Sequence, residues 1–232
     1  MMNGAANKLS PTDILSMIDH AVLSPDCTRD DILDACELGR KYALGSICVP
    51  PAWVSLAFEE LRGARTSLSS VVGFPHGYAT TRTKTTEACA LTAHGCSELD
   101  MVCNISFFRS GQYAAAQADI ASVVEHVANV CEGMAVVKGI IETCYLSEEQ
   151  IRRAVDCAAD AGADFVKTST GFGPEGATVE NVRLLREAAP EHMGVKAAGG
   201  IRTLQDLLAM VEAGASRIGT SSTKAIIEEL DM

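Results

Sequence analysis

Short aliphatic runs recur along this chain, each followed by a stretch with helical apolar spacing, and the alternation repeats eight times. The runs predict strands at 17–20, 46–49, 68–72, 98–102, 135–141, 164–167, 194–197 and 217–219. Helical periodicity predicts helices at 28–42, 53–61, 80–93, 111–130, 147–161, 179–189, 203–213 and 223–230, after a short helical turn at 11–13. Ser147 and Gln150 stand at capping-box spacing at the start of one of them. Strands joined through helices run parallel, because each crossover returns the chain to the same end of the sheet. Eight near-regular units with no long linker close naturally into a (β/α)8 TIM barrel over 11–232, one α/β domain. An open doubly wound sheet is the weaker alternative, and residues 1–10 read as a flexible end.

Composition narrows the partners. A net charge of −11 argues against nucleic acid or an anionic membrane, although a local site for a phosphorylated substrate remains compatible with it. No apolar run approaches a membrane-spanning length, and the first ten residues lack a signal-peptide pattern, so a soluble cytoplasmic protein is expected. The nine cysteines contain no Cys-x-x-Cys pair and read as reduced core residues. The five histidines show no metal-ligand spacing, so neither metal nor cofactor is proposed.

One regularity points to chemistry. Val137-Lys138, Val166-Lys167 and Val195-Lys196 recur at intervals of 29 residues, each near the end of a predicted strand. Adjacent strands lie about 4.8 Å apart, so three such ammonium groups are expected to depress one another's pKa, as burial also does. Barrel enzymes carry their sites where strands end, and there the sequence also places Asp19, Asp100 and Glu142. A lysine activated by a second cation, with a carboxylate for proton transfer, is the equipment of a Schiff-base aldolase that needs no metal. Lys167, which leads into Thr168-Ser-Thr-Gly171, is the candidate for the carbonyl trap. Asp100 reads alternatively as a mere counter-ion to a buried lysine, and Cys48 as a small core residue or part of the aldehyde side. His20 and His76 follow strands and read either as cleft residues or as loop and core residues, and Trp53 as packing.

Glycines mark the other end of a substrate. Gly199 and Gly200 follow the seventh strand, Gly219 with Ser221 and Ser222 follows the eighth, and Gly171 and Gly173 follow the sixth. The last two strand ends are where barrels frequently hold phosphate against backbone N–H groups, and glycine permits the close approach.

These motifs together resemble the deoxyribose-phosphate aldolase family almost end to end. The resemblance runs through Ile18-Asp-His20, Val72-Gly-Phe-Pro-His-Gly77, Glu98-Leu-Asp-Met-Val102, Ile141-Glu-Thr143, Phe165-Val-Lys-Thr-Ser-Thr-Gly171, Val195-Lys-Ala-Ala-Gly-Gly-Ile-Arg202 and Gly219-Thr-Ser-Ser222. It implies that Lys167 forms the Schiff base, that Lys196 perturbs its pKa, and that Asp100 joins Lys196 and a water in moving protons. Lys138, Asp19 and Cys48 would support them. The implied reaction is reversible cleavage of 2-deoxy-D-ribose 5-phosphate to D-glyceraldehyde 3-phosphate and acetaldehyde, with phosphate against Gly171, Gly199, Gly200, Gly219, Ser221 and Ser222. Barrels of this kind often dimerise through their outer helices, so a homodimer or larger homo-oligomer is expected.

Departures from the family pattern are Ala21 for a threonine, Thr223 for a frequent glycine, and Arg109 for a frequent lysine. Gly139 stands for a branched residue and is expected to leave room in the barrel. Some members end in a tyrosine-bearing tail that assists proton transfer; this sequence ends at Asp231-Met232, so a water or another residue would serve. The alternatives are a Schiff-base aldolase for another phosphorylated sugar, a carboxylate-based phosphosugar isomerase or epimerase, and a catalytically silent phosphate-binding barrel.

Overall fold

The computed structural model describes residues 9–130 and 135–230. Its strands are β1 (Ile18–Ala21), β2 (Ser46–Val49), β3 (Ser67–Val72), β4 (Glu98–Val102), β5 (Val136–Ile140), β6 (Phe165–Lys167), β7 (Gly194–Ala198) and β8 (Arg217–Thr220). Each pairs in parallel with the next, and β8 pairs back to β1, so the sheet closes and the open-sheet alternative falls. Around it lie α1 (Pro11–Ser16), α2 (Arg29–Tyr42), α3 (Val54–Glu60), α4 (Thr81–Ala93), α5 (Ile105–Arg109), α6 (Tyr113–Val130), α7 (Glu148–Asp160), α8 (Val179–Ala188), α9 (Leu204–Glu212) and α10 (Thr223–Glu229).

Most helix starts follow local hydrogen-bond chemistry. Ser147 and Gln150 form the expected reciprocal box at α7, and Thr28 with Asp31 and Thr203 with Asp206 do the same at α2 and α9. The helix expected over 111–130 begins two residues later and is preceded by α5, which periodicity does not reveal. Five residues are too few for that signal; α5 instead forms because Asn104 caps it and Phe108 is fully buried. Gly111, at φ +68°, separates α5 from α6. The helix expected at 53–61 starts as a 3-10 turn, Pro51–Trp53, before α3. Of the flexible end expected at 1–10, residues 1–8 lie outside the described residues, whereas Ser10 caps α1 through a box with Asp13.

Two chemically different layers result. Between sheet and helices, outward strand residues such as Ile47, Leu99, Val166 and Val195 join Ile32, Ile120 and Val182 from the helices in one apolar cluster. Inside the barrel the side chains are largely polar, and all but the half-buried Phe165 and Arg217 of the lowest layer are buried. The strand pairings accumulate a stagger of eight residues in one circuit, so inward side chains at equal height come from alternate strands. The lowest layer is Ser46, Glu98, Phe165 and Arg217. Above it come Asp19, Ser69, Lys138 and Lys196, then Cys48, Asp100, Lys167 and Gly219 nearest the C-terminal mouth. Among the described residues, no helix is long and apolar enough to cross a membrane.

Candidate active site

The two upper layers interdigitate into one charge network. Asp100 is its hub: Lys138 Nζ lies 3.0 Å from Oδ1, while Lys167 Nζ and Lys196 Nζ each lie 2.6 Å from Oδ2. Asp19 is bound by Lys138 at 3.2 Å, Lys196 at 2.5 Å and Arg217 at 2.7 Å. Glu98 is bound by Lys138 at 2.5 Å and Arg217 at 3.1 Å. Buried charges are tolerated only when compensated, and the compensation here is uneven. Among the described residues Lys138 touches three carboxylates, Lys196 two, and Lys167 only Asp100, which it shares.

That inequality separates the three lysines. Burial lowers the Lys167 pKa; Asp100 opposes the shift and Lys196 adds to it, leaving the group below the ordinary lysine value. Burial would lower Lys138 too, but Asp100, Asp19 and Glu98 outweigh it and hold the ammonium well above the ordinary value. The expected mutual depression of all three lysines is therefore corrected at Lys138, where three carboxylates, two from the adjacent β4 and one from β1 across the barrel, overrule like-charge repulsion. Asp100 is pushed up by burial, but Lys138, Lys167 and Lys196 together hold it well below the carboxylate range. Asp19 responds in the same direction, to Lys138, Lys196 and Arg217.

Lys167, Lys196, Asp100 and Asp19 line the floor of a cavity of about 810 Å3 that opens at the C-terminal ends of the strands. Cys48 and Ala21 line it as well. Burial pushes the Cys48 thiol up to about 11, so it stays protonated. Toward the mouth stand Gly171, Gly199, Gly200, Gly219, Ser221 and Ser222, all on the cavity wall. Gly171, Gly199 and Gly200 have φ of +89°, +88° and +81°, which disfavour any side chain there. A Cβ at Gly219 would come within 3.2 Å of Lys196 Cε, so this glycine makes room for the lysine stem. The amides of Gly171, Gly200 and Ser221 have no protein acceptor among the described residues, whereas Ser222 N–H donates to Thr220 Oγ1 at 2.9 Å.

Other sequence candidates fall elsewhere. Gly139 does not open the barrel: the alternation that turns Lys138 inward turns Gly139 outward, toward Cys103 and Ala158. His20 is buried at the cavity edge with Nδ1 2.9 Å from Thr223 Oγ1; burial and Lys224 lower its pKa to about 4. His76 is exposed and stacks on Tyr78, and Trp53 packs against the apolar core. Arg109 donates to the Tyr145 carbonyl, away from the cavity. The eight described cysteines are all unpaired.

Sequence reasoning passed over Glu98 and Arg217 as site components. The signal was present: Glu98 and Asp100 are two apart on one strand, as are Arg217 and Gly219, so each pair shares the inward face. Phe172 was also passed over. Its ring, 50% exposed, meets Phe74 edge-on at 5.3 Å and joins the loops after β3 and β6 over the mouth.

A family model described as DeoC/LacD family aldolase matches residues 14–228. The chain is 48% identical over 217 residues to a deoxyribose-phosphate aldolase of Caldanaerobacter subterraneus subsp. tengcongensis, covering 94% of this chain and 93% of that protein. It is 50% identical over 218 residues to a deoxyribose-phosphate aldolase of Thermococcus gammatolerans, covering 93% and 96%. Among solved structures, the deoxyribose phosphate aldolase of Aeropyrum pernix, described as a unique tetramer, superposes with a TM-score of 0.88 at 34% identity, covering 97% of this chain and 94% of that one.

Proposed function

The chain belongs to the DeoC/LacD aldolase family, and on that premise we propose that it cleaves 2-deoxy-D-ribose 5-phosphate reversibly to D-glyceraldehyde 3-phosphate and acetaldehyde. The observation that carries this reading is the position of Lys167, a buried lysine whose single carboxylate partner is shared with two other ammonium groups. Such an amine gives up its proton more readily than a free lysine and is nucleophilic when neutral.

In this mechanism Lys167 Nζ adds to the C1 aldehyde of the open-chain sugar, and loss of water gives an iminium. A base removes the proton of the C3 hydroxyl, the C2–C3 bond breaks, and its electron pair passes into the iminium to form an enamine. Glyceraldehyde 3-phosphate leaves. Protonation of the enamine carbon and addition of water then release acetaldehyde and restore the amine. Asp100 and Lys196, both within hydrogen-bond reach of Lys167 or of its partner oxygen, are assigned the proton transfers through water. Lys138, Asp19 and, below them, Glu98 and Arg217 hold the charges in place. Cys48 is assigned to the wall on the acetaldehyde side.

Phosphate is assigned to the mouth, against Gly171, Gly199, Gly200, Gly219, Ser221 and Ser222. Free amides at Gly171, Gly200 and Ser221 support this, because an anion there would gain donors that have no protein acceptor among the described residues. An isomerase that used the lysines as phosphate clamps fits less well, since all three ammonium groups point at carboxylates on the cavity floor. We further propose that the protein works in the cytoplasm as a homo-oligomer, which light scattering on the purified protein would test.

The decisive experiment is mass spectrometry after incubation with acetaldehyde or deoxyribose 5-phosphate and borohydride. A stable adduct on Lys167, absent in Lys167→Leu, is expected. No adduct under conditions where substrate demonstrably binds would overturn the aldolase reading.

A further inference from the structure

Directly after β5, Glu142 is 1% exposed, yet none of the ion pairs among the described residues includes it. Its backbone is left-handed, at φ 53° and ψ 70°, a conformation that costs free energy in a residue other than glycine. A buried, unpaired carboxylate on a strained backbone is held there by something, and the partner is a single residue. Thr170 N–H points between the two carboxylate oxygens, 3.1 Å from Oε1 and 3.2 Å from Oε2, and Thr170 Oγ1 donates to Oε2 at 2.5 Å.

The direction of these bonds propagates. An ionised carboxylate only accepts, so the Thr170 hydroxyl proton is committed to Glu142. The hydroxyl lone pairs are then free to accept the Phe172 N–H, at 3.0 Å. Glu142 thus determines, through one hydroxyl, how the chain passes from Thr170 to Phe172. Between them lies Gly171, on the cavity wall with its amide free of a protein acceptor.

We propose that Glu142 is a positioning residue for the anion-binding turn: acting through Thr170, its buried carboxylate holds the Gly171 amide toward the phosphate of the substrate. This deepens the reading given above and rests on it for the phosphorylated substrate. A carboxylate does not itself attract phosphate, so its contribution is geometric. A side chain that must accept two bonds from one residue fixes the turn more tightly than an apolar contact does.

The test compares kcat/KM for 2-deoxyribose 5-phosphate with kcat/KM for unphosphorylated 2-deoxyribose. In Glu142→Ala the ratio of the two is expected to fall about tenfold, through KM for the phosphorylated sugar, the size of losing one charge-assisted hydrogen bond. Thr170→Val, which keeps the side-chain shape, is expected to do the same and decides the matter if Glu142→Ala does not fold. Glu142→Gln, whose amide oxygen still accepts from Thr170, is expected to retain most of the preference. Equal losses with both sugars would mean that Glu142 serves only stability and would overturn the proposal. Inorganic phosphate supplies a readout that does not depend on turnover: it should raise the melting temperature of the native protein, and that of Glu142→Ala by less. If the native protein cleaves neither sugar but shows this phosphate shift, the aldolase reading falls and the positioning role stands. A shift of equal size in Glu142→Ala would overturn the role.

Discussion

Lys196 and Lys167 are register partners on adjacent strands, and both ammonium nitrogens lie 2.6 Å from one oxygen, Asp100 Oδ2. Lys196 has a second carboxylate in Asp19, and Lys167 has none among the described residues. The shared oxygen compensates neither cation fully, and Lys167, buried with no second carboxylate among the described residues, gives up its proton more readily than an ordinary lysine.

Replacing Lys196 with Met removes the competing cation and leaves more of Asp100 to Lys167. The Lys167 pKa, now below the ordinary lysine value, is then expected to rise. Schiff-base formation needs the neutral amine, so its rate climbs as pH rises through that pKa. Borohydride inactivation with acetaldehyde, followed against pH, should show its inflection displaced to higher pH in Lys196→Met. Each pH unit of displacement slows trapping at neutral pH by about tenfold, recoverable in alkaline buffer. An inflection that stays in place would remove Lys196 from the activation of Lys167.

Asp100→Asn has opposite effects on the two halves of the reaction. The shared anion is gone, so the Lys167 ammonium is less stabilised and trapping at neutral pH should persist. Turnover should fall by about 10²–10⁴-fold, because the group assigned to proton transfer no longer changes protonation state. Comparing single-turnover trapping with steady-state cleavage separates the two. A parallel loss of both would reduce Asp100 to a structural counter-ion.

His20 makes stability depend on pH. Its folded pKa of about 4 lies below the value of about 6.5 expected in the unfolded chain, so between them the unfolded state binds the extra proton. Stability contributed by neutral His20 is therefore present above the unfolded value and is lost as pH falls. From about pH 7 to about pH 5 the loss amounts to about 2 kcal/mol. Urea denaturation at the two pH values should show that difference in the native protein, and a smaller one in His20→Gln.

Away from the barrel interior, Lys84 on α4 and Asp119 on α6 form a fully buried pair at 2.6 Å. Lys84→Met leaves Asp119 buried and uncompensated except for the Thr81 hydroxyl, and is expected to cost about 3–5 kcal/mol. The double variant Lys84→Met with Asp119→Leu should recover most of that loss, because two apolar side chains need no counter-charge. Chemical denaturation of the three proteins measures it; a double variant as unstable as the single one would mean that the pair holds α4 against α6 by more than charge compensation.

Much of this molecule was legible from local pattern. Strand positions followed from aliphatic runs, helix starts from caps such as Ser147 with Gln150, and the lysine repeat stood out because each lysine follows a valine that had to face the helices. What failed locally was short or conditional. Five residues give α5 no periodic signal, and Gly139, expected to leave room in the barrel, faces outward because its neighbour Lys138 occupies the inward face.

The sequence by itself determined the barrel, the end of it that carries chemistry, and the side chains available there. Two periodicities suffice for that, since each is written within one element. Only the tertiary structure decided which lysine is left undercompensated. The eight-residue stagger sets Lys138 among Asp19, Glu98 and Asp100 and leaves Lys167 one shared oxygen. Three lysines in like sequence contexts thus differ because electrostatic compensation is summed over neighbours on other strands. Those neighbours are fixed only when the barrel closes.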